Sequence, residues 1–380
     1  MASSMRILKT VRKTRKRNFR TRRPEAGPLR PVSSRGVGHL ETAPRLGEDL
    51  MRHFGYMART LLALWFLLQD SVVWLFGNVI RRGNYVRAVI PAEDPLVDSK
   101  LAAVYVHFDR RGIVHDYILH QLRELAACGF RITFVTNAPE FPESSKQRVS
   151  PLCKSIIWRN NTGYDFGAYK DGIAANDLDQ LDGLILMNDS VYGPFWPLAE
   201  TLSAMSTAHV DFWGIVDNFE HQYHLQTFFV YFLPKAIQSD AFRSFWRSHP
   251  YINNKGWVVR NGEVGLTQAL ARQELRGGAL APYWRVSERV RDRLPAPSAE
   301  IFANRKSTPG RVRSALLRGR GINSMHYFWD ELITEDRCPF IKRELLTRNP
   351  ARVPFTDRWP DIIRSHSAYD VDLIRRHLDS

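Results

Sequence analysis

The sequence predicts an α/β domain on a mostly parallel sheet, and three features predict it. Short apolar runs recur along the chain, segments of helical spacing separate them, and polar clusters follow directly behind several of the runs. Strands covered on both faces read as continuous apolar residues, and their alternation with helices marks a parallel sheet. Ligands on such sheets sit at the carboxyl ends of the strands. The clusters behind the runs are therefore where chemistry is expected.

The elements follow in order. Residues 102–108 (AAVYVHF) form the first strand, rich in β-formers. A helix is expected over 116–128, where Tyr117, Leu119, Leu122 and Leu125 recur at helical spacing and Gly129 closes the element. Residues 131–135 (RITFV), 155–158 (SIIW) and 183–187 (GLILM) give three more strands, and 210–215 and 227–232 another two. Leu266, Leu270 and Leu275 place a later helix that begins close to Glu263.

Composition bounds the rest. The chain has 380 residues, 44% of them hydrophobic, which supports a sizeable core. A disordered chain, a collagen-like repeat and a small disulfide scaffold are excluded. Three cysteines, Cys128, Cys153 and Cys338, have no metal-type spacing and form no even set, pointing to a reducing, cytoplasmic compartment. Of the net charge of +15, +11 falls in residues 1–35, leaving +4 for the other 345.

Three regions result. Residues 1–50 are a basic tail expected to be disordered, suited to anionic lipid or to nucleic acid. Residues 51–95 hold the one membrane candidate, 60–80 (TLLALWFLLQDSVVWLFGNVI), long enough to span but interrupted by Gln69 and Asp70. Arg52 and Arg59 precede it, Arg81 and Arg82 follow, and Trp65 and Trp74 are aromatic anchors. The favoured reading is a helix lying in an anionic membrane interface; a true span and a core helix are the alternatives. Residues 96–380 are expected to form the folded α/β domain. Within it, 285–320 reads as a flexible basic loop with Pro295, Pro297 and Pro309.

Two segments carry the chemistry. Residues 159–173 (RNNTGYDFGAYKDGI) follow a strand; Gly163 and Gly167 would let the backbone approach a nucleotide, with Asn161, Asp165 and Lys170 as polar groups for it. A turn followed by a capped helix is the plainer reading. In 184–194 (LILMNDSVYGP) an apolar run ends in Asn188-Asp189-Ser190. A carboxylate there needs a partner, so Asp189 is a candidate ligand for Mg²⁺ or Mn²⁺ alongside substrate phosphates. The same triplet also makes an Asx turn. Asp211 and Asp217 in DFWGIVDN read as turn residues or substrate hydrogen-bonders. His326, ahead of a late helix, is a candidate metal ligand or a structural histidine, and Lys342 and Arg343 are placed to neutralise a diphosphate or to face solvent.

RNNTGYDFGAYKDGI, LILMNDSVYGP, DFWGIVDN and the late PFIKRELLTRNP, in that order, resemble the rhamnan synthesis protein F family, over about residues 100–350. The resemblance implies a glycosyltransferase A-type nucleotide-binding α/β sandwich. It also implies an inverting glycosyltransferase of polysaccharide and lipopolysaccharide O-antigen synthesis, at the cytoplasmic face of the bacterial inner membrane. The donor would be a dTDP-, UDP- or GDP-linked sugar, rhamnose being the first expectation, and the acceptor a lipid-linked or polysaccharide glycan. A looser resemblance to the large family of inverting glycosyltransferases of that fold implies that residues 161–172 meet the nucleotide sugar, that Asn188-Asp189-Ser190 stands where a paired-Asp motif holds the metal, and that Glu263 is the base. Here a single Asp replaces the pair, which puts metal dependence in question. The competing readings are a sugar-phosphate transferase, a non-catalytic scaffold of a glycan assembly complex, and a nucleic-acid binder. No nucleic-acid motif supports the last.

Overall fold

The computed structural model describes residues 85–293 and 308–380, with scattered helical positions between 61 and 75. The basic tail, most of 60–80 and residues 294–307 of the basic loop lie outside the described residues. Among the described residues no helix is long and apolar enough to cross a membrane.

The expected strands form. They are β2 (Leu101–His107), β3 (Arg131–Thr136), β4 (Ser155–Arg159), β5 (Gly183–Asn188), β7 (Phe212–Asn218) and β9 (Phe229–Phe232). Two further strands extend the same sheet at its edges, β1 (Val86–Pro91) and β10 (Gly277–Ala281), giving the order β1-β4-β3-β2-β5-β9-β7-β10. A short strand, β8 (His224–Leu225), pairs with β7. The sheet is mixed rather than mostly parallel. β4-β3-β2-β5 is parallel, β1 joins β4 antiparallel, and β9 runs antiparallel between β5 and β7. Apolar strand sequence reports burial on both faces and carries no strand direction, which is why the reversal of β9 is not legible in it.

Each continuous apolar run divides between two cores. In β2, Ala103 and Tyr105 face one side while Ala102, Val104 and Val106 face the other; in β5, Ile185 and Met187 oppose Leu184 and Leu186. Successive side chains of a strand point to opposite faces, and each large buried one contributes roughly 1.5–3 kcal/mol. The first core takes the helix Asp116–Ala127, ended as expected at Gly129 (φ +85°), and helices of the C-terminal region. The second takes the helices Tyr164–Ala174 and Asp240–Ser248 and the helical run 255–271. The flanks of the basic loop are helical, Tyr283–Arg293 and Thr308–Leu317. Arg289 of the first is held by Asp336 and Glu331 rather than free in solvent.

The segment RNNTGYDFGAYKDGI is first of all a folding device. Arg159, fully buried, donates to Asp171 Oδ2 (2.6 Å), Asn137 Oδ1 (2.7 Å) and the Thr162 carbonyl (2.8 Å). Gly163 adopts φ +81°, and a Cβ on Gly167 would stand 2.3 Å from the Thr162 carbonyl oxygen. Both glycines serve the fit of the loop against its own helix and against Tyr251. Removing one partner of a buried ion pair leaves an uncompensated charge. Asp171→Asn is therefore expected to lower unfolding free energy by about 3–5 kcal/mol. Urea titration checks this, and a loss under about 1 kcal/mol would show that Arg159 does not depend on that carboxylate.

Candidate active site

A cavity of about 640 Å³ opens at the carboxyl ends of β2, β5 and β7, within the range of small-molecule sites. Arg110 reaches it from the turn after β2, Ser190 from the turn after β5, and Asn218 from the end of β7. The helical run 255–271 contributes Lys255, Val259 and Glu263. The C-terminal region returns to the same place. β11 (Ile341–Lys342) pairs antiparallel with β6 (Val191–Tyr192), directly behind Asn188-Asp189-Ser190, and the Arg343 N–H donates to the Ser190 carbonyl (2.9 Å). This pairing brings Lys342, Arg343 and Arg348 into the cavity wall.

Glu263 does not open a helix. It lies inside a π-helical turn, Val258–Val264, between the helices Lys255–Trp257 and Gly265–Ala271. Such turns redirect a side chain within a helix and recur at functional sites. The buried Thr227 hydroxyl donates to Glu263 Oε1 (2.9 Å), and His224 Nε2 stands 3.9 Å from Oε2. Glu263 retains a partly exposed carboxylate in the cavity.

Asp165 lies in the first turn of the helix Tyr164–Ala174, deep but not wholly closed off. Its Oδ2 accepts from Asn188 Nδ2 (2.9 Å), and Asn188 Oδ1 accepts from the N–H and hydroxyl of Ser190 (3.1 and 2.6 Å). The Asx turn expected as the plain alternative is therefore present. Burial pushes the Asp165 carboxyl up to about 6, helped by the charges of Asp189 and Glu263. Burial also pulls the Lys342 ammonium down, opposed by Glu263, Asp165 and Glu344. His326 is lowered to about 4 by burial, with Lys342 adding to it.

Several expected ligands are employed elsewhere. Lys170 donates to the carbonyls of Arg247 (3.1 Å) and His249 (2.6 Å), capping the end of the helix Asp240–Ser248. Asn161, Gly163, Asp165, Gly167 and Asn188 do not line the cavity; Ser190, Glu263, His326 and Lys342 do. Asp189 is buried, and its Oδ2 accepts from the Phe108 N–H (3.1 Å) and from Arg343 Nη1 (3.2 Å). Asp211 and Asp217 are structural, accepting from the N–H groups of Arg276 (2.8 Å) and Tyr283 (2.6 Å).

The two expected metal ligands, Asp189 and His326, each stand near a cationic side chain. Asp189 already carries a guanidinium, and the Lys342 charge is felt at His326. Among the described residues no three His, Cys, Asp or Glu side chains gather as a metal-ligating group. The positive charge in the cavity is supplied by Lys255, Lys342, Arg343, Arg348 and Arg110. Sequence reasoning finds Lys342 and Arg343 but misses Asn218, Glu220, Gln226 and Lys255. The one available signal was the polar end of DFWGIVDN, where Asn218 rather than the aspartates faces the cavity.

The family model described as "Rhamnan synthesis protein F" matches residues 132–278, from β3 to β10. Lys342 and Arg343 lie beyond that match. A "Virulence protein VirA" from Vibrio anguillarum is 30% identical over 230 residues, 56% of this chain and 70% of the relative. An "Uncharacterized protein y4gN" from Sinorhizobium fredii is 33% identical over 172 residues; the alignment takes in 44% of each, so the chain matches under half of that relative. A putative nucleotide-diphospho-sugar transferase from Desulfovibrio desulfuricans G20 superposes over 59% of this chain and all of its own. It does so at 15% identity and a TM-score of 0.31, a partial likeness.

The Asp165 shift has a measurable consequence. A carboxyl raised from 3.8 to about 6 on folding leaves full stability below pH 4, and stability is lost as pH climbs through 6. Asp165→Asn keeps an oxygen for Asn188 and removes the charge. Against wild type it is expected to gain about 2 kcal/mol between pH 4 and pH 7 by urea unfolding. A gap that stays constant over that range would remove the carboxyl's titration as the cause.

Proposed function

This chain belongs to the rhamnan synthesis protein F family, and from that premise we propose that it is a glycosyltransferase using a nucleotide-sugar donor. The observation that carries the reading is one cavity holding both a hydroxyl-oriented carboxylate, Glu263, and adjacent cations, Lys342 and Arg343. The transfer needs these two chemistries side by side. Glu263 takes the proton of an acceptor hydroxyl as that oxygen bonds to the anomeric carbon of the donor sugar. The bond from that carbon to the diphosphate oxygen breaks, and its electron pair leaves with the nucleoside diphosphate. The charge gained there is met by Lys342 and Arg343, in a site partly shielded from water.

Asp189 serves this arrangement as a positioning residue, holding the Arg343 guanidinium through Nη1. With cations already opposite the diphosphate, no step here is routed through Mg²⁺ or Mn²⁺. Rhamnose as the sugar and a lipid-linked or cell-surface polysaccharide as the acceptor are the finer form of the proposal, supported by the family's description.

Peripheral attachment to an anionic membrane completes the reading. The exposed residues Leu61, Leu64, Trp65, Leu68, Val72 and Leu75 fall within about 100° of arc at helical spacing. Arg52, Arg59, Arg81 and Arg82 flank them in sequence. An apolar stripe beside basic residues matches a helix lying in the headgroup region.

Turnover and membrane binding are both open to test. Purified chain supplied with dTDP-, UDP- or GDP-sugars and extracted glycolipid acceptor, with and without Mn²⁺, releases a nucleoside diphosphate. Glu263→Gln, which keeps an oxygen for Thr227, lowers kcat by about 10²–10⁴-fold. A variant with wild-type turnover would remove Glu263 as the base, and release of a monophosphate would replace the reading with a sugar-phosphate transferase. In vesicle co-sedimentation, binding to anionic bilayers exceeds binding to neutral ones, and Trp65→Ser with Leu68→Ser weakens it on the order of tenfold. Equal sedimentation of variant and wild type would detach the stripe from the membrane.

A further inference from the structure

The cavity is chemically divided, and the division reaches further than the donor. Three of its five lysines and arginines are gathered on the C-terminal return, at Lys342, Arg343 and Arg348. A second set of lining groups is amide: Asn218 at the end of β7, Gln226 just after β8, and Asn323 ahead of the helix Ser324–Tyr327. These come from three separate stretches of chain. Gln226 Nε2 donates to Asn323 Oδ1 (3.1 Å), while Asn218 Nδ2 donates to Glu220 Oε2 (3.1 Å) and Asn218 Oδ1 accepts from the Glu220 N–H (2.7 Å). Asn218 and Gln226 are 4% exposed. A buried primary amide held by one or two such bonds still has donor and acceptor capacity to offer.

Glu263 lines the same cavity as both sets. It is 3.9 Å from His224 of β8, and its charge is felt by Lys342. A diphosphate is bound by cations. A neutral sugar is not: its hydroxyls each donate and accept, and groups that also do both recognise them without asking for a net charge. Amides already fixed by their neighbours satisfy that requirement with little ordering cost.

We propose that Asn218, Gln226 and Asn323 form the acceptor subsite, an amide shelf that binds the hydroxyls of a neutral sugar and presents one of them to Glu263. This rests on the transferase reading and adds to it which residues select the acceptor. It also assigns the acceptor-side sugar to the uncharged class, since an acidic sugar would be drawn to the cationic set instead.

The test is binding of neutral methyl glycosides to the full chain, read by saturation-transfer NMR, beside calorimetry of UDP, GDP and dTDP. At least one glycoside is expected to bind while a saturating nucleoside diphosphate is present. Asn323→Ala and Gln226→Ala are expected to weaken that glycoside about 2- to 10-fold each, the worth of one neutral hydrogen bond. Nucleoside diphosphate affinity should stay within about twofold, which also shows that the variants fold. Displacement of the glycoside by the diphosphate would overturn the proposal by placing both in one subsite. So would glycoside binding that both substitutions leave untouched, or an absence of glycoside binding beside normal diphosphate binding. Failure of the wild-type chain to bind any nucleoside diphosphate would instead defeat the transferase reading, and this one with it.

Discussion

The ion pair between Arg343 and Asp189 is the contact on which the site depends. Asp189 directly follows β5, and Arg343 follows β11 more than 150 positions later. The same guanidinium donates to the Tyr117 hydroxyl (2.9 Å), and that hydroxyl donates to the Asp189 carbonyl (3.3 Å). One charged group thus ties the central strand, the helix Asp116–Ala127 and the C-terminal region into a single corner. Asp189 is 8% exposed and Arg343 26%, so the pair is only lightly screened, and leaving either charge alone would be unfavourable.

From that corner the rest of the cavity is placed. The β6–β11 pairing puts Lys342 beside Phe228, with its ammonium 4.3 Å from the ring centroid, and within the influence of Glu263 and Asp165. Carboxylates and cations are crowded into poorly hydrated space, where each raises the stakes for the others. The raised Asp165 carboxyl and the lowered His326 imidazole both report this crowding. Such opposition is typical of sites where charge must be moved, because a site tuned for a reacting group is not the one most stable without it. The π-helical turn around Glu263 fits the same pattern, an irregularity inside an otherwise regular helical run.

The motif 159–173 separates two uses of one sequence signal. Its glycines and charges suggest a ligand loop, yet Arg159, Asp171 and Thr162 form a closed internal network, and Lys170 caps a helix on its far side. Only Asp165 links it toward the chemistry, through Asn188 and Ser190. A buried arginine with three partners, packed 5.7 Å from the Tyr251 ring, makes the loop a rigid support. Rigid support of that kind is what a preorganised site behind it requires.

The sequence by itself determined the α/β class, the strands β2, β3, β4, β5, β7 and β9, the helix Asp116–Ala127 and its stop at Gly129, because apolar period and turn chemistry are local properties. It also made the cations at Lys342 and Arg343 visible as candidates. Tertiary structure alone decided which polar groups meet. Strand direction in the mixed sheet, the return of β11 to β6, the capture of Asp189 by Arg343, the diversion of Lys170 to a helix end and the gathering of Asn218, Gln226 and Asn323 all join positions far apart in the chain. A side chain's chemistry can be read from its type, but its partner is set by packing, and for a buried charge or amide the partner decides the role.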